Sequence, residues 1–256
     1  GGDDSGGGTG DGDTFTLTDT VGENLVGTDG DDTFSGVADV GSGDSTFQAG
    51  DSIDGGDGTD RLDLIISGDS GGSTSAGVTI DNVEQIFARN VADGASTFNA
   101  ASVDGVEQLW NDNSTENLEF DNVGDNATIG VRSTDTDTSV IFTSTVLSGD
   151  DDTVNVALDE ADDGSVSISD GAETLSVNSG GDAANKLGTV DGGSAETLTV
   201  TGDQDLEIGS LDNNFATIDA STAGGALTAD LRGPDGEEDI TVTGSAQDDS
   251  FTVSDV

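Results

Sequence analysis

The 256-residue sequence predicts an all-β fold, a parallel β-solenoid (β-helix) with coils of roughly 22 residues and turns of Asp and Gly. Three observations predict it: apolar and polar residues alternate in short segments, similar motifs recur at a nearly constant spacing, and turn-forming residues separate them. The alternative all-β interpretation is a set of β-sandwich modules. Sandwich strands do not usually repeat one motif in phase, which favours the solenoid.

The predicted strands are short segments in which Val, Ile, Leu or Phe alternates with Thr, Ser or Asp. Period-two alternation with many β-branched residues is typical of half-buried strands, and Gly, Asp, Asn and Ser between them indicate turns. No stretch shows a convincing helical period. Examples of such segments are 13–18, 61–67, 153–158, 165–169, 205–209 and 240–244.

A repeat of 20 to 25 residues organises these segments. "NVEQIF" (82–87) returns as "GVEQLW" (105–110), and "GAETLSV" (171–177) returns as "SAETLTV" (194–200), both 23 residues later. Coils of constant length stack equivalent residues on one another, about 4.8 Å apart. We therefore expect one apolar row through the core, filled out by Phe34, Phe87, Phe98, Trp110, Phe120 and Phe142. The row would contain Leu62, Ile86, Leu109, Ile129, Val154, Leu175, Leu198, Ile218 and Ile240.

Composition excludes several classes of protein. The chain has 54 acidic and 5 basic residues, a formal charge of −49, 40 glycines and no Cys or His. Disulfides and thiolate metal sites are therefore excluded, and nucleic acid is not an expected partner because phosphate binding needs Lys and Arg. No apolar run is long enough to suggest membrane insertion. High net charge is typical of disorder, but the regular apolar segments argue against it.

The domain organisation follows from the same patterns. Residues 1–12, rich in Gly and Asp, are predicted to be a flexible linker or arm. Residues 13–256 are predicted to form a single solenoid-like domain, with its most regular acidic turns concentrated in 27–63. A saline habitat would also account for an acidic surface, but it does not explain the spacing of Gly and Asp in those turns.

Two acidic turns match a repeat that binds calcium. "GGDGTDRLD" (55–63) fits G-G-x-G-x-D-x-U-x at every defined position, and "GTDGDDTFSG" (27–36) fits it with one mismatch. Looser relatives are 149–156 and 244–253. Ca²⁺ prefers six to eight hard oxygen ligands, whereas Mg²⁺ demands a strict octahedron, and transition metals would lack His or Cys. The alternative is that these turns are solvated and hold no ion. The predicted metal ligands are Asp29, Asp31, Asp32, Asp54, Asp57, Asp60, Asp63, Asp150, Asp151, Asp152, Asp248 and Asp249.

The repeat also predicts stacked glutamates. A 23-residue coil would place Glu84 against Glu107, and Glu173 against Glu196. Like charges opposed on neighbouring strands are destabilising, so a cation or an outward orientation must relieve each pair. These glutamates are therefore secondary ligand candidates.

Residues 27–110 resemble the RTX-related, calcium-binding surface proteins of Gram-negative bacteria, including S-layer proteins of the Caulobacter type and similar secreted adhesins and matrix proteins. The resemblance implies an extracellular location, multiple Ca²⁺ ions, calcium-dependent folding and assembly into surface coats. By position, Asp32 and Asp60 would be ligating aspartates, and Gly30, Gly55, Gly56 and Gly58 would shape the turns. The nonapeptides here are isolated, whereas the family repeats them consecutively, so calcium is expected at scattered turns of a longer coil.

Function is expected to be structural. An enzyme is not expected, because His, Cys and Tyr are absent and Lys186 is the sole lysine. The favoured hypothesis is a secreted structural protein that self-assembles into a surface layer, filament or biofilm matrix. Its partner would be a second copy, joined head to tail through similar segments at 12–21 and 248–256, and cell-surface polysaccharide is a further candidate partner.

The alternative function is a calcium-rigidified stalk, or a carbohydrate- or ice-binding module, of a large adhesin. Thr-x-Thr motifs could form an ice-binding face on a solenoid. In the sequence, however, these motifs are not in step with the repeat, and exposed Thr is ordinary in strands.

Overall fold

The computed structural model describes residues 12–41, 43–74, 77–232 and 240–254, so most of the predicted linker, residues 1–11, lies outside the described residues. The described residues form strands and turns with no helix, and hence no helix that could cross a membrane. In chain order the strands are β1 Thr14–Thr16, β2 Asn24–Val26, β3 Thr33–Asp39, β4 Ser52–Asp54, β5 Arg61–Ser67, β6 Thr79–Asp81, β7 Gln85–Asn90, β8 Ser96–Asn99, β9 Val103–Asp104, β10 Gln108–Asp112, β11 Leu118–Val123, β12 Thr128–Arg132, β13 Thr138–Phe142, β14 Thr153–Asp159, β15 Val166–Ile168, β16 Thr174–Gly180, β17 Asn185–Asp191, β18 Thr197–Thr201, β19 Leu206–Leu211, β20 Thr217–Asp219, β21 Leu227–Arg232, β22 Thr241–Thr243 and β23 Ser250–Ser254.

These strands form three parallel sheets. The long sheet has eleven strands in the order β1-β3-β5-β7-β10-β12-β14-β16-β18-β20-β22. The second sheet has eight, β23-β21-β19-β17-β15-β13-β11-β8, and the short sheet has four, β2-β4-β6-β9. Each coil therefore returns to the long sheet after visiting one or both of the others. The chain is a β-solenoid of about ten turns with coils near 23 residues, as predicted, and the β-sandwich alternative is wrong.

The predicted apolar row is correct in part. Leu62, Ile86, Leu109 and Ile129 face one another on successive strands of the long sheet. Ile129 then faces Val156, and Val154 instead begins the row that continues through Leu175, so the predicted position of Val154 is wrong. Ile218 likewise faces Val242 where Ile240 was expected. Both errors are shifts of two residues, which leave the same side chains facing inward and are therefore invisible to the alternation pattern.

The core is a narrow apolar column inside the coils. Its largest fully buried side chains include Phe34, Phe98, Phe120 and Phe215. The prediction that Phe87 and Trp110 fill the core is wrong. Both lie on the outer face of the long sheet, where they alternate with inward-facing neighbours such as Ile86.

Charged side chains cover Phe87, which is buried, and the stacked Trp110 is half-buried. Their rings stack with centroids 5.5 Å apart, and the guanidinium carbons of Arg61 and Arg132 lie 3.9 and 4.6 Å from the Phe87 centroid. Gly130 makes room for the indole, because a Cβ there would lie 2.0 Å from the ring. Cation–π contacts of this kind contribute about 0.5–2 kcal/mol each.

The outer face of the long sheet also carries a row of threonines. Thr153, Thr174, Thr197, Thr217 and Thr241 are paired on consecutive strands from β14 to β22. These are single threonines, and the Thr-x-Thr motifs themselves are out of step as expected, because Thr199 is paired with Ser176 and Asp219. Variable turn lengths conceal the alignment in the sequence, because the spacing between successive threonines changes from coil to coil.

The two similar terminal segments occupy different sheets. Residues 14–16 form β1 at one end of the long sheet, whereas residues 250–254 form β23 at one end of the second sheet. They are therefore not equivalent strands of the solenoid, although the sequence predicted the same kind of position for both. The last described strand of the long sheet is β22.

Ile65 and Ile66, adjacent in β5, test which side chains face the core and which face the solvent. Ile66 is fully buried and Ile65 is 41% exposed. We expect Ile66→Ala to lower the free energy of unfolding by about 2–5 kcal/mol, because it leaves a cavity in the core. Ile65→Ala, the matched control, should cost less than about 1 kcal/mol. Chemical denaturation followed by circular dichroism measures both, and equal losses would contradict the assignment.

Candidate metal-binding turns

The two calcium-type turns stack on each other at one corner of the solenoid. Residues 27–32 connect β2 to β3, and residues 55–60 connect β4 to β5 one coil later. The backbone N–H of Asp57 donates to the Thr28 carbonyl at 3.3 Å, and that of Thr59 donates to the Asp31 carboxylate at 2.9 Å. The similarity seen in the sequence therefore corresponds to direct contact in space.

Buried carboxylates join successive coils at this corner. The N–H of Asp13 donates to Asp32 at 2.5 Å, the N–H of Asp32 donates to Asp60 at 2.7 Å, and the N–H of Asp60 donates to Glu84 at 2.7 Å. We call Asp32, Asp60 and Glu84 the acidic ladder. Asp32 and Asp60 are 1% and 0% exposed. Each carboxylate thus accepts a backbone N–H from the coil before its own.

Asp32 and Asp60 differ in the number of hydrogen bonds that their carboxylate oxygens accept. Asp32 also accepts the N–H of Thr28 at 2.5 Å and the Thr28 hydroxyl at 3.1 Å. The equivalent position one coil later is Gly56, which has no hydroxyl and a φ of 100°. Among the described residues, Oδ2 of Asp60 has no hydrogen-bond partner although it is buried. An unsatisfied buried oxygen of this kind is costly unless it binds a proton or a cation.

Burial raises the pKa of the Asp60 carboxyl, because the ionised form loses its solvation. The N–H of Asp32 opposes this shift, whereas the carboxylates of Glu84, Asp32 and Asp31 add to it. The site therefore favours a positive charge next to Asp60, either a proton or a metal ion.

Glycine shapes a cradle of oxygens beside each ladder carboxylate. A Cβ on Gly55 would lie 1.8 Å from the Asn82 carbonyl oxygen and 2.5 Å from Oδ2 of Asp60. A Cβ on Gly27 would lie 1.9 Å from the Gly55 carbonyl oxygen and 2.4 Å from Oδ2 of Asp32. A carbonyl and a carboxylate oxygen therefore converge at both glycines, and only glycine fits there. This all-oxygen donor set suits Ca²⁺.

The other predicted ligands near this corner are dispersed. Asp54 accepts the side-chain amide of Asn82 at 2.8 Å, and Asp63 pairs with Arg61 at 2.6 Å. Asp29 and Asp57 are exposed on the turns. Of the seven predicted aspartates in 27–63, Asp31 and Asp32 lie near enough to Asp60 to raise the pKa of its carboxyl.

The C-terminal candidate turns are separate from this corner. Asp152 accepts the N–H of Gly149 at 2.7 Å, and Asp249 accepts the N–H of Leu227 at 2.8 Å and the hydroxyl of Ser245 at 2.9 Å. Asp150, Asp151 and Asp248 are exposed. In the part of the chain that the structure describes, no three acidic side chains are grouped closely enough to hold a metal ion by themselves. An ion at these turns would therefore need backbone carbonyl ligands.

The predicted glutamates stack through their backbones, but the carboxylates of Glu84 and Glu173 bond to the preceding coil. The N–H of Glu107 donates to the Glu84 carbonyl at 2.9 Å, and that of Glu196 donates to the Glu173 carbonyl at 3.1 Å. The Glu84 carboxylate instead accepts the N–H of Asp60 in the preceding coil, and Glu173 does the same for Asp152 at 2.7 Å. Backbone N–H groups thus relieve part of the expected repulsion.

Asp51 is a buried carboxylate that the sequence did not single out. It is 1% exposed and accepts the N–H groups of Gly22, Glu23 and Gln48 at 2.7–3.0 Å. No turn motif surrounds Asp51, and two of its partners lie in the preceding coil. Its role could be recognised only once the register between coils was known.

No family model, curated protein or solved structure matches this chain. The resemblance to RTX-related surface proteins therefore remains a prediction.

The raised pKa of Asp60 predicts a pH-dependent stability in the presence of chelator. The unfolded chain releases this proton near the ordinary carboxyl pKa of about 3.9, whereas the folded chain retains it to a higher pH. The contribution of Asp60 to the free energy of unfolding should therefore fall as pH rises through that window. Asp60→Asn has no proton to release and should lack this component.

Denaturant unfolding of the wild type and Asp60→Asn at several pH values measures the difference directly. Asp182→Asn, which changes an exposed aspartate beyond β16, is the matched control and should follow the wild type. A difference between wild type and Asp60→Asn that stays constant with pH would contradict the assignment.

Proposed function

We propose that the chain is an extracellular calcium-binding structural protein that self-assembles into a surface layer, filament or matrix. The observation that carries the proposal is the buried Asp60, whose Oδ2 has no hydrogen-bond partner among the described residues and faces the Gly55 cradle. A carboxylate in this state is stabilised by a proton or a cation, and the surrounding donors are hard oxygens of the type that Ca²⁺ prefers.

The overall charge supports the need for cations. The chain has 54 acidic residues and 5 basic ones. Among the described residues, ion pairs join Arg61 to Asp63, Arg132 to Asp112, and Lys186 to Asp163 and Glu207. Hydrogen bonds from backbone N–H groups satisfy carboxylate oxygens but do not cancel their charge. Bound calcium would lower the remaining repulsion between stacked coils.

The first coils would hold calcium through groups from consecutive turns. Asp60 with the Asn82 carbonyl, and Asp32 with the Gly55 carbonyl, are the donors that meet at the glycine cradles. Calcium would supply the positive charge that the acidic ladder lacks. The protein's own contribution is to align the coils, bury Asp32 and Asp60, and exclude a Cβ from the cradles.

An extracellular setting fits weak, oxygen-only sites. Extracellular calcium modules work at dissociation constants of about 10⁻⁴–10⁻³ M, which a site with few carboxylates can reach. Self-assembly is supported by the ends of the long sheet, which are open among the described residues, since exposed strand edges pair readily with another chain. Cell-surface polysaccharide stays a candidate partner, and a calcium-rigidified adhesin stalk is the alternative if the purified chain remains monomeric.

Calcium titration tests the proposal. We expect Ca²⁺ at 1,000 times its dissociation constant to stabilise the wild-type chain by about 4 kcal/mol per site, because it binds the folded state alone. Asp60→Asn should lose the contribution of this site, since a neutral amide oxygen is a weaker ligand. Thermal unfolding with Ca²⁺, Mg²⁺ or chelator measures the shift.

Asp182→Asn is again the control and should retain the full calcium response. Equal stability of the wild type in calcium and in chelator would overturn the proposal. An equal response in wild type and Asp60→Asn would show that calcium binds elsewhere.

A further inference from the structure

Both ends of the long sheet are open in the part of the chain that the structure describes. β1 pairs only with β3, and β22 pairs only with β20. Each edge strand has three residues with the same pattern, in which two exposed threonines flank a half-buried apolar residue. The strands are Thr14-Phe15-Thr16 and Thr241-Val242-Thr243.

The apolar residues at these edges are covered on one side only. Phe34, the neighbour of Phe15 in the next coil, is 0% exposed, and Ile218, the neighbour of Val242, is 1% exposed. Phe15 and Val242 pack against the same core but remain half-buried. One further coil at either end would complete their burial.

In β22, one residue directs its backbone N–H and carbonyl away from β20. The N–H of Thr241 donates to Ala216 at 2.9 Å, and the carbonyl of Thr243 accepts from Ala220 at 2.8 Å, so both residues bond toward β20. Alternate residues of a parallel strand bond to opposite neighbours. The N–H and the carbonyl of Val242 therefore point to the free edge.

The backbone of β1 has the complementary arrangement. The carbonyl of Asp13 accepts the N–H of Thr33 at 2.9 Å, and the N–H of Leu17 donates to Ser35 at 2.9 Å. Odd-numbered residues here thus bond toward β3, and the Thr14 carbonyl and the Thr16 N–H point to the free edge. In a parallel ladder, these are the two groups that bracket a residue such as Val242.

We propose that β22 of one copy pairs in parallel with β1 of a second copy, with Val242 opposite Phe15. The Val242 N–H would donate to the Thr14 carbonyl, and the Thr16 N–H would donate to the Val242 carbonyl. This register places Val242 on Phe15 in the core, and Thr241 and Thr243 on Thr14 and Thr16 at the surface.

The pairing rests on the proposed self-assembly and specifies its interface. It joins two different ends of the molecule, so the contact is heterologous and propagates into a filament unless a rotation closes it. Both copies are strongly acidic, so association should require calcium or high salt to screen their repulsion.

Val242→Pro tests the interface in the 256-residue chain. Proline removes an N–H that makes no internal ladder bond, and edge strands tolerate it when that N–H faces outward. We expect end-to-end association to weaken at least about tenfold, because a hydrogen bond is lost and the Thr14 carbonyl is left unpaired. Sedimentation velocity and electron microscopy in calcium measure the loss. Val242→Ala keeps the N–H but loses part of the apolar contact, and it should weaken association less than Val242→Pro does.

A mixing experiment tests the direction of growth. Val242→Pro keeps an intact β1, so it should add to the β22 end of a wild-type filament and stop its growth. Substoichiometric variant should therefore shorten wild-type filaments. Unchanged circular dichroism and thermal unfolding of the isolated variant would show that the chain still folds.

The possible outcomes distinguish a failure of the β22–β1 pairing from a failure of the proposed self-assembly. Wild-type monomers in calcium and in high salt would overturn the proposed self-assembly. Wild-type filaments that Val242→Pro neither weakens nor shortens would overturn the β22–β1 pairing alone, and would assign the contact to another surface or to terminal residues outside the described ranges.

Discussion

The hydrogen bond from a backbone N–H to a carboxylate of the next coil is the interaction on which the solenoid depends. At each corner the chain leaves one sheet for another, and ladder bonding between backbones is interrupted. Short acidic side chains supply the missing acceptors, as Asp32 does for Asp13, Glu173 for Asp152 and Asp249 for Leu227. The acidic composition is thus built into the stacking of the coils and is more than a property of the surface.

Because carboxylates connect the coils, their negative charges repel one another, and calcium would relieve this repulsion. The acidic ladder of Asp32, Asp60 and Glu84 accumulates negative charge along the corner, and burial of Asp32 and Asp60 removes the water that would screen it. Thr28 completes the hydrogen bonding of Asp32, whereas Gly56 leaves Oδ2 of Asp60 open. One residue at the start of the turn therefore decides how many hydrogen bonds the ladder carboxylate accepts, although the two turns resemble the same repeat.

Alternation and repeated motifs predicted the fold because both are direct consequences of stacking, as the pairing of Leu62, Ile86 and Leu109 shows. Exact register was not predictable where it shifts by two residues, as at Val156, because alternation is unchanged. Phe87 was placed inside because aromatic residues are usually buried, yet two arginines cover it outside. The repeat placed Asp60 in a turn with Gly55, and its burial is seen only in the structure. Asp51 was not predicted, because it depends on partners 28 and 29 residues away in sequence.

Backbone hydrogen bonding between neighbouring coils does not by itself fix how many coils the solenoid contains. Every coil offers the next one an edge of alternating N–H and carbonyl groups, although the strands of the long sheet vary from three to seven residues in length. Only the half-buried states of Phe15 and Val242 mark the ends among the described residues. Natural sheets usually protect such edges with Lys, Pro or a covering element. β1 and β22 carry Thr at their exposed positions, which pairs well across strands. The ends of the long sheet are thus open strand edges among the described residues, the chain carries a net charge of −49, and the proposed cation-dependent growth follows from that combination.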